Sequence, residues 1–446
     1  MMLLFGNSKN NASRKRSINP IIFPKLHSLK RTSPQLFRRQ SPDDSDDPEC
    51  FHRAIGGILL LAQFFGILPI YYVRADTVEK MSFRKYTPRN FYAYFVFIGV
   101  CFMTVVSIVH MITTLGTISF QTRGGIADAT VGAIFYGNSL LGNILFLRLC
   151  PRWITMQYDW RAMERVIDNR GKWSRPRLRA RFKIIAGAIL GLALLEHVLS
   201  VINNTPNELW GGNHTFEDWL DVYTNRSHAF ILKHVDYNFT FGLFILFVSR
   251  VATFTWNFTD LFVILVATGI ADRYKHLNKR IMRATPRELT FMDWHEIREC
   301  YAVLSALVKK VDSEISGIVL LSFINNIYFI CLQLMNGLTP SESEHSIVNS
   351  LYFFGSFFFL IGRSVCVTLM TARINDECKI ILPVLYNCPS VNYSLEAQRL
   401  QHQIASDDIA LTGHRFFSIT RNFMLAVAGA IVTYEIVLLQ FNIAMQ

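Results

Sequence analysis

Eight apolar stretches, at 52–73, 91–118, 128–150, 182–203, 236–271, 315–337, 347–372 and 419–441, constrain this chain more than anything else in it. Several approach the ~20 residues that a helix needs to cross the hydrocarbon core of a bilayer. The chain is 51% hydrophobic and only 17% charged, with 36 Phe, which is too apolar for a soluble protein of 446 residues. Its net charge of +12 lies between the apolar runs rather than on one face. That is the pattern of membrane topology and not of nucleic-acid binding. The expected fold class is therefore an all-α polytopic membrane protein.

Charge sets the orientation. The loop 151–183 carries ten Lys/Arg against three acids and is expected in the cytosol. The loop 204–235 has two basic and four acidic residues, and Asn-x-Ser/Thr triplets cluster around it at Asn203, Asn213, Asn225 and Asn238. It reads as extracellular, with Asn213 and Asn225 as glycosylation sites. Working outward, 74–90 with its five Lys/Arg is cytosolic, and so is the basic N-terminal segment 1–50, polar and Ser/Pro-containing and expected to be disordered. Both flanks of 52–73 are then inside, so this run cannot cross. "FHRAIGGILLLAQFFGILPIYY" reads instead as a re-entrant or interfacial helix broken by Gly66 and Pro69. Seven crossings remain, with the N-terminus inside and the C-terminus outside. Charged helical patterns such as "DWHEIRECYAVLSALVKKVDSEI" predict helices that continue into the cytosol. The implied organisation is a tail at 1–50, a re-entrant helix at 51–73, a six-span bundle at 91–372, and cytosolic anchor helices with the seventh span at 373–446.

None of the eight Cys lies in 204–235, and no HExxH, Walker loop, nucleophile elbow or Cys/His metal spacing is present. An enzyme, a cofactor and a metal centre are not expected.

Ionisable and amide groups inside spans are costly and so mark functional sites. Glu196 and His197, Asp236 and Tyr237, Asn325, Asn326 and Gln333, Asn349, Tyr352 and Ser356, and Asp128, Tyr136 and Asn138 in the outer half of 128–150, fall at one outer depth. Carboxylates, amides and rings at one level suit a polyhydroxylated ligand. The plainer reading is hydrogen bonding that merely joins helices. Arg250 and Arg363 read as deeper, toward the cytosolic half, pairing with Asp260 or reaching lipid phosphates. In the last span Thr433, Val437 and Gln440 share one helical face, and Tyr434, Leu438 and Phe441 the next. A polar ring above an apolar one suits a cation pore, which one helix cannot enclose, so several copies around an axis are implied. Glu435 falls off that stripe.

"TYEIVLLQF" at 433–441 resembles the C-terminal TYhhhhhQF signature (h, hydrophobic) of insect gustatory receptors. "PECFHRAIG", "FHRAIGGILLLAQFFGILP" and "ATFTWNFTDLFVILVATGIADRYKHLN" resemble the sugar-receptor group of that family. The resemblance implies a sugar-gated, nonselective cation channel passing Na+, K+ and Ca2+, a homotetramer or a heterotetramer with related receptors, in the plasma membrane of a sensory neuron. It implies a sugar pocket in the outer half of six spans and a pore lined by the seventh, with Gln440 at the constriction and Phe441 beside it. A seven-span receptor of the opposite orientation and a secondary transporter for a polar small molecule are the alternatives.

Overall fold

A computed structural model describes residues 49–115, 125–169, 177–206, 214–232, 235–283, 289–338, 347–390 and 393–444. The expected tail, apart from its last two residues, and Asn213 lie outside them. The described residues form twelve α-helices: α1 (Phe51–Phe64), α2 (Pro88–Leu115), α3 (Gly125–Asn169), α4 (Leu178–Asn204), α5 (Phe216–Ser227), α6 (Ala229–Leu232), α7 (Phe239–Arg283), α8 (Phe291–Leu338), α9 (Ile347–Lys379), α10 (Leu382–Tyr386), α11 (Leu395–Ser406) and α12 (Arg421–Ala444).

Among the described residues six helices, α2, α3, α4, α7, α8 and α9, are long and apolar enough to cross a membrane. They match six of the expected spans. The seventh expected span, 419–441, falls within α12, a helix of 24 residues. The 45 residues of α3 and α7 and the 48 of α8 give lengths of about 70 Å, more than twice a bilayer's hydrocarbon thickness. These helices therefore run well beyond the apolar layer, as their charged ends predicted.

Local sequence sets the helix ends. Thr215 and Asp218 form a reciprocal cap at the start of α5, with Thr215 N–H donating to the Asp218 carboxylate at 2.8 Å. Thr290 and Asp293 repeat this at the start of α8, at 2.9 Å. Ser394 Oγ accepts from Ala397 N–H at 3.3 Å to open α11. Pro151 lies inside α3, and the helix continues through it.

The apolar run 52–73 is helical only to Phe64. At 14 residues, about 21 Å, α1 is too short to span a bilayer core. The chain then turns at Gly66, whose φ of +77° favours glycine. Gln63 Nε2 holds the returning strand by donating to Leu68 O at 3.1 Å and Ile70 O at 2.6 Å. The first ring of α1, Phe51, stacks on Trp160 at 3.7 Å, and its N–H donates to Glu164 at 3.1 Å. Gly269 makes room for it, since a Cβ there would stand 2.7 Å from the Phe51 ring. One core joins residues from Phe51 to Ile419, with α7 at its centre, buried from Asn257 to Tyr274.

At the end of the bundle away from α5, ion pairs tie the long helices together. Arg273 meets Glu164 at 2.7 Å and Asp168 at 3.0 Å, and Asp272 meets Arg181 at 2.6 Å and Arg373 at 2.9 Å. Glu396 on α11 accepts from Arg298 at 2.5 Å, His295 at 3.1 Å and Arg399 at 2.8 Å. The Arg298 hydrogen bond, with His295 and Arg399 beside it, lowers the Glu396 pKa to about 2.

Candidate ligand site and pore helix

Ser322, Asn326, Phe329 and Gln333 recur at four, three and four residues and so share one face of α8. That face meets α7 and α9. Asp260 of α7 accepts from Ser322 Oγ at 2.5 Å and from Asn326 Nδ2 at 3.0 Å. Arg363 of α9 places Nε 2.7 Å from Asp260 Oδ2, an ion pair with both side chains buried. Its Nη1 donates to Asn257 and its Nη2 to Asn326 Oδ1 at 3.4 Å, while the guanidinium lies 4.7 Å over the Trp256 ring. A buried charge pair needs further hydrogen bonds to offset its desolvation, and here Ser322 and Asn326 donate to Asp260 while Asn257 and Asn326 accept from Arg363. Of the two partners proposed for Arg363, the structure selects Asp260.

Seven residues before Arg363, on the same face of α9, Ser356 continues this seam. Its hydroxyl donates to Glu196 of α4 at 3.1 Å and accepts from Gln333 Nε2 at 3.0 Å. Tyr352, one turn further, lies beside Glu196 and Ser200. Glu196, Asn326, Gln333, Tyr352 and Ser356 are therefore brought together.

His197 faces a different neighbour. Arg250 Nη1 donates to its Nδ1 at 3.2 Å, and the Arg250 guanidinium lies 5.8 Å over the Tyr223 ring of α5. Arg250 thus stands at the level of His197 and not with Asp260, which corrects the deeper placement read from sequence. Eleven residues into α7, it is too close to that helix's start. Tyr136 hydrogen-bonds His228 at 2.9 Å in a further buried network.

Asp236 and Tyr237 precede α7. Asp236 is exposed, and no contact among the described residues joins it to Glu196. The Tyr237 ring packs on Gly242, where a Cβ would come within 3.0 Å, and its hydroxyl is buried without a partner among the described residues. The loop that holds these two residues folds toward α5 rather than into the seam. Asn349 is exposed, and the Asp128 side chain lies outside the described residues.

Several buried polar atoms have no partner among the described residues. Both amide atoms of Asn325, 3% exposed, are among them, with Asn138 Oδ1, Ser139 Oγ, Gln333 Oε1 and His197 Nε2. Thr130 meets Tyr328 at 2.8 Å, Gly142 faces Leu321 and Gly317 faces Leu145, so α3 and α8 run antiparallel. That register sets Asn138 and Asn325 at one level. An unpaired buried amide or hydroxyl costs about 1–3 kcal/mol unless something else satisfies it.

The α12 helix touches α8 and α9. Phe423 stacks on Phe417 at 4.5 Å, and Ile431 packs against the Phe329, Ile330 and Leu360 cluster. Most of its remaining surface is open, including Leu425, Val432, Tyr434, Ile436, Thr433 and Gln440. The Thr433 hydroxyl donates to Gly429 O at 2.9 Å. The side chains of Glu435, Val437, Leu438 and Phe441 lie outside the described residues.

The trehalose receptor family model matches residues 26–446. This chain belongs to that family, the sugar-receptor group of the insect gustatory receptors. This gustatory receptor is 31% identical over 403 residues to "Gustatory receptor for sugar taste 64a" of Drosophila melanogaster, covering 88% of this chain and 85% of the relative. It is 29% identical over 400 residues to "Gustatory receptor 5a for trehalose" of the same fly, again covering 88% and 85%. Its fold resembles the insect olfactory receptor OR5 from Machilis hrabei, with a TM-score of 0.64 and 13% identity over 87% of this chain and 97% of that one. The family is one of receptors, not enzymes.

Among the residues that sequence reasoning left out of the candidate set are Asn257, Ser322 and Ser139. The four-three-four spacing from Ser322 to Gln333 was the available signal for Ser322. Nothing local pointed to Asn257, which also sits in an Asn-x-Thr triplet but is buried against Arg363. Asn225 is exposed on α5, donating to Asp221 Oδ1 at 2.7 Å.

Proposed function

We propose that this gustatory receptor is a sugar-gated, nonselective cation channel in the plasma membrane of a sensory neuron. The sugar occupies the seam between α4, α8 and α9, with the facing surface of α3. The observation that carries this is a set of buried polar atoms without partners among the described residues: Gln333 Oε1 beside the Glu196 carboxylate that Ser356 holds, and Asn138, Ser139 and Asn325 where α3 meets α8. Sugar hydroxyls both donate and accept, so one ring can satisfy Gln333 Oε1 and Glu196 together, while Asn138 and Asn325, about 12 Å further along α8, call for a second ring. Tyr352 offers a face to the apolar C–H side.

Seven spans, with the N-terminus inside and the C-terminus outside, complete the reading. A tail (1–50) and re-entrant helix (51–73) precede a six-span bundle (91–372), and 373–446 supplies the anchor and the pore span. Four copies of α12, from this chain alone or with related receptors, surround a pore for Na+, K+ and Ca2+. The link from ligand to pore is short, because Gln333 lies one turn beyond Phe329 and Ile330, which pack with Ile431 of α12. A shift of α8 against α9 around a bound sugar therefore reaches α12 directly.

Recording currents from this chain expressed alone across a panel of sugars tests the reading. Sugar-evoked, nonselective cation current is the expected result. Its absence at normal surface expression, with none restored by co-expressed relatives, overturns it. Surface labelling of an N-terminal tag on intact cells separates the channel from a receptor of opposite orientation, since the tag is expected to stay unlabelled.

A further inference from the structure

Outside the sugar seam, α1 and α2 enclose a groove of about 520 Å³ lined by Gly57, Leu60, Leu61, Phe64, Tyr92 and Arg89, with Gln63 and Pro69. Its volume lies within the ~300–1,000 Å³ of pockets that hold small ligands. The walls continue into the exposed apolar side of α2, where Phe91, Phe95 and Ile98 are each more than half exposed. Such a surface on a membrane helix faces acyl chains rather than water. One end is different in kind. Arg89 lines the groove, and exposed Arg84 and Lys85 stand one turn or so before it.

Arg89 Nη1 donates to Gln63 Oε1 at 3.2 Å and to Ile70 O at 3.3 Å, and the guanidinium lies 4.6 Å over the Tyr71 ring. Both bonds leave from one nitrogen. Nε and Nη2 have no protein partner among the described residues, and the guanidinium is held in place by the other contacts. A fixed guanidinium with unused N–H groups at the mouth of an apolar groove matches a phosphodiester above an acyl chain. Between Tyr71 and Asn90 there are five Lys/Arg and two acids, and one of those acids, Asp76, is paired with Arg53 at 2.5 Å. The local field therefore favours a headgroup with net negative charge.

We propose that this groove is a binding site for one anionic glycerophospholipid drawn from the bilayer, its acyl chain along Leu60, Leu61, Phe64 and Tyr92 and its phosphate on Arg89. The site is independent of the sugar reading.

Gly57 gives a steric test that leaves Arg89 untouched. A Cβ at Gly57 meets nothing within 4 Å and Gly57 lines the groove, so Gly57→Phe is expected to put its ring into the groove. The full chain is reconstituted in phosphatidylcholine vesicles containing a trace of phosphatidylserine or of phosphatidylcholine bearing a photoactivatable acyl chain. Cross-linked peptides are then mapped by mass spectrometry. The serine lipid is expected to label the peptides spanning 57–64 and 89–95 at least fivefold more than the choline lipid. Gly57→Phe is expected to remove that excess, and Arg89→Gln to bring the ratio of the two lipids close to one. Equal labelling by both lipids in the unaltered chain, which needs no variant to fold, overturns the proposal. So does serine-lipid labelling that persists at full strength in a folded Gly57→Phe protein.

Discussion

Asn325 and Glu196 carry the same kind of chemistry and answer different questions. Asn325 is buried with neither amide atom bonded to the described residues, an arrangement that opposes folding by about 1–3 kcal/mol wherever nothing else satisfies it. Asn325→Leu replaces the amide with an apolar group of similar volume. It is expected to raise the melting temperature of the purified receptor while weakening its sugar response at least tenfold. Lowered stability with an unchanged dose–response curve assigns Asn325 to the packing of α3 against α8. Glu196 already accepts from Ser356, so Glu196→Gln keeps the size and removes the charge. Hydrogen bonds to a charged group contribute about 1.5–3 kcal/mol, so a rightward shift of at least tenfold in the sugar dose–response is expected. Normal sensitivity at normal surface expression removes it from the site. The residue types were legible in the sequence because charge and amides are rare in spans. Their partners were not. Asp236 lies at the right depth by counting, yet its loop precedes α7 and leaves it exposed, and side-chain direction at a helix boundary is not set by periodicity.

At the scale of elements, periodicity and charge located six long helices and their extensions past the apolar layer, because both signals are local and repeated over many turns. The end of α1 was less legible. The apolar run continues to Tyr72, but a positive φ at Gly66 and the Gln63 bonds to Leu68 and Ile70 stop the helix at Phe64. The docking of α11 on α8 was not visible at all, since Glu396 meets Arg298 and His295 across about a hundred residues of chain. That contact predicts a pH dependence. Folding lowers the Glu396 pKa from its ordinary 4.5 to about 2. The folded protein therefore binds fewer protons here than the unfolded chain as the pH falls below about 4.5. The contribution is full above that pH and is lost as the pH drops toward 2. Thermal melts of the detergent-solubilised receptor are expected to show a smaller loss on acidification in Glu396→Gln than in the unaltered chain. At neutral pH the variant should melt lower. Parallel pH curves separate the shift from this carboxylate.

At the scale of the whole molecule, the open surface of α12 leaves room for the neighbouring copies that the proposed pore needs. Leu425 is 68% exposed and Gln440 is exposed near the far end of the helix. In the proposed channel, four copies around an axis would place each Gln440 opposite its equivalents. In the closed state of that channel, amides of adjacent copies would hydrogen-bond around the ring, each bond contributing roughly 0.5–1.5 kcal/mol net. In its open state, their carbonyl oxygens would replace part of a cation's hydration shell without holding it tightly. Glutamine serves both states because it is uncharged and carries donor and acceptor together. Gln440→Ala is therefore expected to raise the current recorded without sugar, since the closed ring loses its bonds while the helix keeps its length. Gln440→Glu is expected to raise the calcium-to-sodium permeability ratio, since four carboxylates concentrate divalent ions. An amide turned toward a neighbouring helix would alter assembly and leave permeation alone. Wild-type basal current and wild-type permeability ratio in both variants would therefore place Gln440 away from the pore axis.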